Sequence, residues 1–154
     1  MAVQIDPVRP EDGGELLTLQ RAAFVTEAQL YDDPRLPALV ETLPELLAAV
    51  QAGPALTARD DGRLVGAVRA RVADGVLHVG RLVVAPDQQG RGIGRMLLAA
   101  VEQAAGPDVA TAALFTGHRS AANLRLYARA GYVEQRRERV DDGLTLVHLI
   151  KTLR

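Results

Sequence analysis

Residues Leu82–Leu98 read LVVAPDQQGRGIGRMLL. Leu82, Val83 and Val84 are branched and apolar, as in a buried strand. Ala85-Pro86-Asp87 then turns the chain, because proline fixes φ and aspartate caps its own turn. Gly90, Gly92 and Gly94 follow at a spacing of two, behind Gln89 and interleaved with Arg91 and Arg95. Ile93, Met96, Leu97, Ala100, Val101 and Ala104 recur at three and four, which is a helical face. A strand therefore runs through a glycine-rich turn into a helix. Glycine lets backbone approach a ligand closely, and a helix N-terminus offers unpaired amides at the positive end of its dipole. Such a turn suits a phosphate or pyrophosphate.

Working outward, the chain has 154 residues, enough for a single domain over 1–154 with a substantial core. Hydrophobic residues make up 48% and charged residues 24%, the balance of a soluble globular protein. The formal net charge of −1 leaves no electrostatic footprint for nucleic acid or an anionic membrane. Lys151 is the only lysine; arginine supplies the other cations. Cysteine is absent, which excludes disulfides, thiolate metal sites and an acyl-cysteine intermediate, and no metal site is read elsewhere. The first residues, MAVQIDPVRPEDGG, carry acids and prolines and no apolar stretch of a signal peptide, and no apolar run reaches membrane-spanning length. A cytoplasmic protein is the expectation.

Upstream of the glycine turn, Val3–Arg9 reads as a strand. A helix starts near Glu11-Asp12 with Leu16, Leu19, Ala23 and Phe24 on one face, its first turn weakened by Gly13 and Gly14. A loop with a short helix near Glu27–Tyr31 follows. Thr42-Leu43-Pro44-Glu45 has the form of a capping box opening a helix that closes at Gly53-Pro54. Asp61-Gly62 and Asp74-Gly75 are turn pairs that fold residues 55–84 into a three-stranded meander. Downstream, 109–116 is apolar throughout and reads as a strand buried on both faces. Ser120 stands where it can N-cap a helix over 121–130, ended by Gly131, and 132–152 reads as a final hairpin. One βα crossover inside antiparallel strands makes an α+β fold, a mixed, mostly antiparallel sheet flanked by helices.

Three readings compete for the turn. A Walker A loop needs Gly-Lys-Ser/Thr, and no lysine is present here. A dinucleotide fingerprint needs G-x-G-x-x-G in an early βαβ unit with an acid ending the next strand, whereas this turn is G-x-G-x-G and the next strand ends at Thr116. The third reading is a tight turn with no ligand. A second constellation separates them. Asn123 and Tyr127 lie four apart on one face of the helix that Gly131-Tyr132 closes.

Gln89-Gly90-Arg91-Gly92-Ile93-Gly94, followed by Asn123-Leu124-Arg125-Leu126-Tyr127-Ala128-Arg129-Ala130-Gly131-Tyr132, resembles the two motifs of the GCN5-related N-acetyltransferase (GNAT) family. The resemblance implies the fold of that family, acetyl-CoA as co-substrate, and transfer of the acetyl group to a primary amine of a small molecule or peptide. It implies that backbone at Val84 pairs with the pantetheine arm, and that amides of Gln89, Gly90, Arg91, Gly92, Ile93 and Gly94 hold the pyrophosphate. Arg91 and Arg95 add charge, and Asn123 hydrogen-bonds pantetheine. Tyr127 stands where the family places the acid that protonates the leaving thiolate. Many members carry a glutamate base six residues before the position of Val84. His78 stands there instead, a departure that keeps a competent base, and strand alternation puts His78, Gly80, Leu82 and Val84 on one face. His118 is expected near the cleft, and His148 as structural. The acceptor cleft is implied near residues 24–36 and the last hairpin loop, where Glu27, Tyr31, Asp32, Asp33, Asp141 and Asp142 suit a cationic amine. By analogy with the family a homodimer is implied. The rival function is an acyl-CoA sensor or interaction module without catalysis; a mononucleotide-binding domain is the third.

Overall fold

Two Asp-Gly pairs set the first half of the fold. Asp61 and Gly62 have φ of +51° and +83°, and Asp74 and Gly75 have +54° and +75°. Positive φ at both central residues makes a two-residue hairpin turn whose twist matches the strands. These turns join β2 (Ala55–Asp60), β3 (Arg63–Ala73) and β4 (Val76–Val84) into an antiparallel meander in a computed structural model that describes residues 2–154. β1 (Val3–Pro7) adds antiparallel to β2.

Four helices lie between β1 and β2: α1 (Gly13–Ala23), α2 (Val25–Leu30), α3 (Pro37–Val40) and α4 (Leu43–Gln51). The segment expected to hold one short helix thus holds two. α4 opens on the anticipated capping box, with Thr42 Oγ1 accepting from the Glu45 amide at 3.3 Å and Glu45 Oε1 accepting from the Thr42 amide at 2.9 Å. After β4 come α5 (Ile93–Ala104), β5 (Thr111–Gly117), α6 (Ala121–Arg129) and the hairpin β6 (Val133–Arg139) and β7 (Thr145–Thr152).

The seven strands form one sheet in the order β1-β2-β3-β4-β5-β7-β6. Among the described residues only β4 and β5 run parallel, and only over Val76–Thr111, Leu77–Ala112 and His78–Ala113. One face packs Leu77, Val79, Leu114 and Val147 against Ile93, Leu97, Leu98 and Val101 of α5 and Tyr127 of α6. On the other, Leu64, Ala67 and Val83 pack against Leu16, Leu17 and Leu19 of α1 and Leu46 of α4. Each fully buried leucine contributes about 1.5–3 kcal/mol. This second layer covers β3 and β4 and leaves β5, β7 and β6 open. Phe115 in the middle of β5 is therefore 57% exposed, which corrects the expectation of a strand buried on both faces. No helix among the described residues is long and apolar enough to cross a membrane.

Candidate active site

The site begins with an irregularity in β4. Ala67 pairs with Val83, but Arg69 pairs with Gly80, so four residues of β4 span three of β3. The extra residue is at Arg81, whose φ is +48°. Among the described residues three other non-glycine residues have positive φ, Asp32, Asp61 and Asp74, and all belong to the residue type that tolerates it in turns. Arg81 alone lies inside a strand. A bulge bends and over-twists its strand, and β4 parts from β5 just there: no β5 residue pairs with β4 beyond His78. The inner edges of 79–84 and 114–117 thus face a V-shaped gap with unpaired backbone groups.

The bulge also changes which side chains share a face. Leu82 and Val84 pack with Leu77 and Val79 on the α5 side. His78 and Gly80 line the opposite face with Arg69 and Arg71. The expected row His78, Gly80, Leu82, Val84 is therefore broken between Gly80 and Leu82, because one extra residue reverses every later position.

Past Val84 the gap meets the glycine turn. Gly92 is the N-cap of α5 at φ +82°, and no side chain caps the helix. The first amides of α5 are left for an external acceptor. Gly94 is packed: a Cβ there would lie 3.3 Å from Leu126 Cδ2 and 3.6 Å from Val84 Cγ2. This close fit holds the α5 N-terminus against both β4 and α6. Arg91 leans away from the turn, donating to Asp60 Oδ2 at 2.9 Å and to Gln88. Arg95 and Gln89 are exposed.

α6 supplies the other wall. Tyr127 is 7% exposed, and its ring meets Tyr132 edge-on at a centroid distance of 6.1 Å. Its hydroxyl makes no hydrogen bond among the described residues, yet it is not one of the polar atoms sealed from solvent. Burial first, then the charge of Glu27, pushes this hydroxyl above the ordinary tyrosine value, so it stays protonated. Asn123, one turn earlier, donates to Thr116 Oγ1 at the end of β5 at 3.2 Å.

Over the N-terminus of α6, Ser120 occupies the cap position without capping. Its hydroxyl donates to Glu27 Oε2 at 2.5 Å and lies 2.7 Å from the Tyr31 hydroxyl, which accepts from the Arg119 amide at 3.0 Å. Gly117 admits this contact, since a Cβ there would overlap the Tyr31 hydroxyl at 2.0 Å. α2 is thereby tied to the end of β5.

The remaining expected residues divide by what they bond. His118 Nδ1 accepts from the Thr145 amide at 3.0 Å and serves as a clamp between the β5 loop and β7. His148 Nε2 lies 2.9 Å from Glu138 Oε1. Asp33 accepts from the Arg35 amide, Asp141 from the amides of Gly143 and Leu144, and Asp142 from Arg139, so these three acids are spent on their own turns. His78 faces an open cleft of about 550 Å³.

Arg81 was not singled out in the sequence, although an arginine between Gly80 and three apolar residues breaks the alternation and could have signalled the bulge. Its Nε is buried without a partner, which costs about 1–3 kcal/mol. The left-handed backbone adds about 1–3 kcal/mol of strain. Glu41 secures the group: it accepts from both terminal guanidinium nitrogens of Arg69 at 2.8 and 2.7 Å and lies 3.6 Å from Arg81.

Comparison with known proteins agrees with this geometry. The profile of the acetyltransferase (GNAT) domain matches residues 43–153. The PaiA N-acetyltransferase of Thermoplasma acidophilum, solved in complex with coenzyme A, superposes with a TM-score of 0.83 over 99% of both chains at 18% identity. YncA of Salmonella typhimurium, solved with acetyl-CoA, gives 0.80 at 20% identity over 100% of this chain and 95% of its own. The Bacillus subtilis protein YqkA, of the UPF0157 group, is 28% identical over 132 residues; the match covers 86% of this chain but only 38% of that protein. With a profile match over most of its length, a strand that splays at a bulge and an uncapped helix behind a glycine turn, the chain belongs to the GNAT acetyltransferase family.

Proposed function

We propose that this chain transfers the acetyl group of acetyl-CoA to a primary amine within a ternary complex. One observation carries the reading: the unpaired inner edge of β4 ends at the uncapped N-terminus of α5, beside a buried tyrosine whose hydroxyl is free. The β4 edge at Val84 pairs with the pantetheine arm as an added strand would. The amides of Gln89–Gly94 hold the pyrophosphate, while Arg95 adds exposed charge. Arg91, tied to Asp60, braces the turn. Asn123 keeps its carbonyl oxygen for pantetheine while its amide nitrogen is bonded to Thr116.

The chemistry then follows. The acceptor ammonium gives one proton to His78. The freed lone pair attacks the thioester carbonyl, whose π electrons move to oxygen. Backbone N–H near Val84 stabilises that oxyanion. Collapse re-forms the carbonyl and breaks the C–S bond, and Tyr127 delivers its proton to the sulfur. The new amide nitrogen loses its second proton through water to the tyrosinate, and the products are the acetamide, CoA and a released proton. A tyrosine held above its ordinary pKa resists ionising before the thiolate forms.

The test is free-thiol release from acetyl-CoA across a panel of amines, with Tyr127→Phe as comparison. The chain has no thiol of its own to contribute background. Amine-dependent release that collapses in the variant supports the reading. Tight CoA binding with no amine acetylated transfers support to the sensor.

A further inference from the structure

The cleft on the open face of the sheet is built of cations. Ala49 of α4 and Ala52 at its C-cap form one bank and Gln135 and Arg136 of β6 the other; His78, Gly80, Phe115 and His148 make the floor. Its volume of about 550 Å³ is that of a small-molecule site. Arg69, Arg71, Arg81 and Arg136 all line it. Two carboxylates reach these groups: Glu41, bonded to Arg69 and near Arg81, and Glu138, bonded to His148 and 3.9 Å from Arg136. Four guanidinium groups against two carboxylates leave a net positive cleft.

The balance is also uneven within the set. Arg71 is exposed and has no ion pair among the described residues. Arg81 holds a buried Nε with no partner, in a strained backbone, with a second guanidinium beside it. Strain, an unmet donor and like-charge crowding at one residue persist only where the surroundings enforce them. A ligand carboxylate would offset the like-charge crowding, because its two oxygens match the planar fork of a guanidinium.

Phe115 supplies the rest. It presents an exposed ring to this face, 5.6 Å from the His148 ring, where a central strand ordinarily lies covered. The cleft thus offers an apolar wall beside an anion-binding one. It also opens onto the reaction gap: Val79, Gly80 and Arg81 on β4 and Leu114 and Phe115 on β5 follow on the last paired residues, His78 and Ala113. Tyr127 approaches the same gap from the opposite face.

We infer that this cleft holds the acceptor, and that the acceptor is an amine bearing a carboxylate on an apolar frame, in the manner of a free apolar amino acid. Arg71 and Arg81 bind the carboxylate, Phe115 packs on the apolar group, and the amine points past His78 into the gap. The acidic residues that suggested a purely cationic acceptor are largely held in their own turns or by Ser120. This inference rests on the proposed transferase reading.

The experiment compares kcat/KM for L-phenylalanine, L-phenylalaninamide, phenethylamine and O-phosphoethanolamine in wild type, Arg71→Gln and Arg81→Gln. Calorimetric titration of the CoA complex with N-acetyl-L-phenylalanine and N-acetylphenethylamine is run alongside. The free amino acid is expected to lead its amide by tenfold or more. Arg71→Gln is expected to erase that lead through KM while leaving the Kd for acetyl-CoA within twofold. Arg71-dependent binding of N-acetyl-L-phenylalanine without turnover of any amine would defeat the transferase reading and keep the anion cleft. Preference for phenethylamine or the amide, a lead that survives both variants, or O-phosphoethanolamine as the best acceptor would each overturn the proposal.

Discussion

The Tyr132 hydroxyl donates to Glu102 Oε2 at 2.7 Å, and Lys151 Nζ donates to the other oxygen of that carboxylate at 2.7 Å. Tyr132 is thereby fixed between α5 and β7, and its ring sets the edge against which Tyr127 stands. Burial first, then the hydrogen bond to Glu102, pushes the Tyr132 hydroxyl above its ordinary value, so this donor does not titrate near neutral pH. One tyrosine is locked and unreactive; its neighbour has a free hydroxyl at the gap.

The two tyrosines are expected to separate by phenotype. Tyr127→Phe removes the proton donor, and kcat should fall by about 10²–10⁴, the range for general acid catalysis, with little change in the KM for acetyl-CoA. Tyr132→Phe leaves Glu102 Oε2 without its donor and should destabilise by about 1–3 kcal/mol, lowering Tm by several degrees while reducing kcat far less. Steady-state kinetics and thermal unfolding on both variants check this.

The turn makes a second prediction. Gly92 has φ of +82°, with open space where a Cβ would stand. Gly92→Val adds about 1–3 kcal/mol of backbone strain and moves the first amides of α5. Affinity for CoA is expected to drop about tenfold or more, measured calorimetrically, whereas dephospho-CoA and CoA should lose affinity in parallel because the pyrophosphate is common to both. Unchanged CoA affinity would remove the turn from the binding site.

The features legible in the sequence are local. Asp61-Gly62, Asp74-Gly75, the capping box of Thr42 and Glu45, and Gly131 at φ +98° each carry their conformation within a few residues. The glycine turn and the Asn123–Tyr127 spacing belong to the same class. The features that escaped depend on a partner strand or helix. Register at Arg81 is a property of β3 and β4 together, so alternation along β4 alone assigned His78 and Val84 to the same face. Phe115 reads as core until one sees that the α1–α4 layer stops at β4. Ser120 has the residue type of an N-cap, but Glu27 and Tyr31, some ninety residues earlier, claim its hydroxyl. Arg91 reads as a phosphate ligand until Asp60 is brought within 2.9 Å.

The Glu41 cluster predicts a stability profile. Burial opposes ionisation of Glu41, but hydrogen bonds from Arg69 and Gln20 and the charge of Arg81 outweigh it and hold the carboxyl below its ordinary value. A depressed folded-state pKa stabilises the fold above the unfolded value, about 4.3 for glutamate, and that contribution is lost as pH falls through the folded one. Glu41→Gln should therefore be less stable than wild type at neutral pH, with the difference shrinking below about pH 4. Urea unfolding at pH 7, 4 and 3 measures it; a constant difference would mean that the ionised form contributes nothing.

His78 gives the last prediction. Its ring faces the cleft at the root of the β4–β5 gap, in the last residue pair before the strands part. As the group that takes the ammonium proton, it must be neutral to act, so kcat/KM should carry a rising pH limb that this residue supplies. His78→Ala should abolish that limb and lower kcat/KM by about 10²–10⁴ if no water substitutes. His78→Gln keeps the shape without the base, so it should behave like the alanine variant in its pH profile while leaving acetyl-CoA affinity intact. Retention of the wild-type pH limb in both variants would assign deprotonation to solvent, and His78 would then be a wall of the acceptor cleft only.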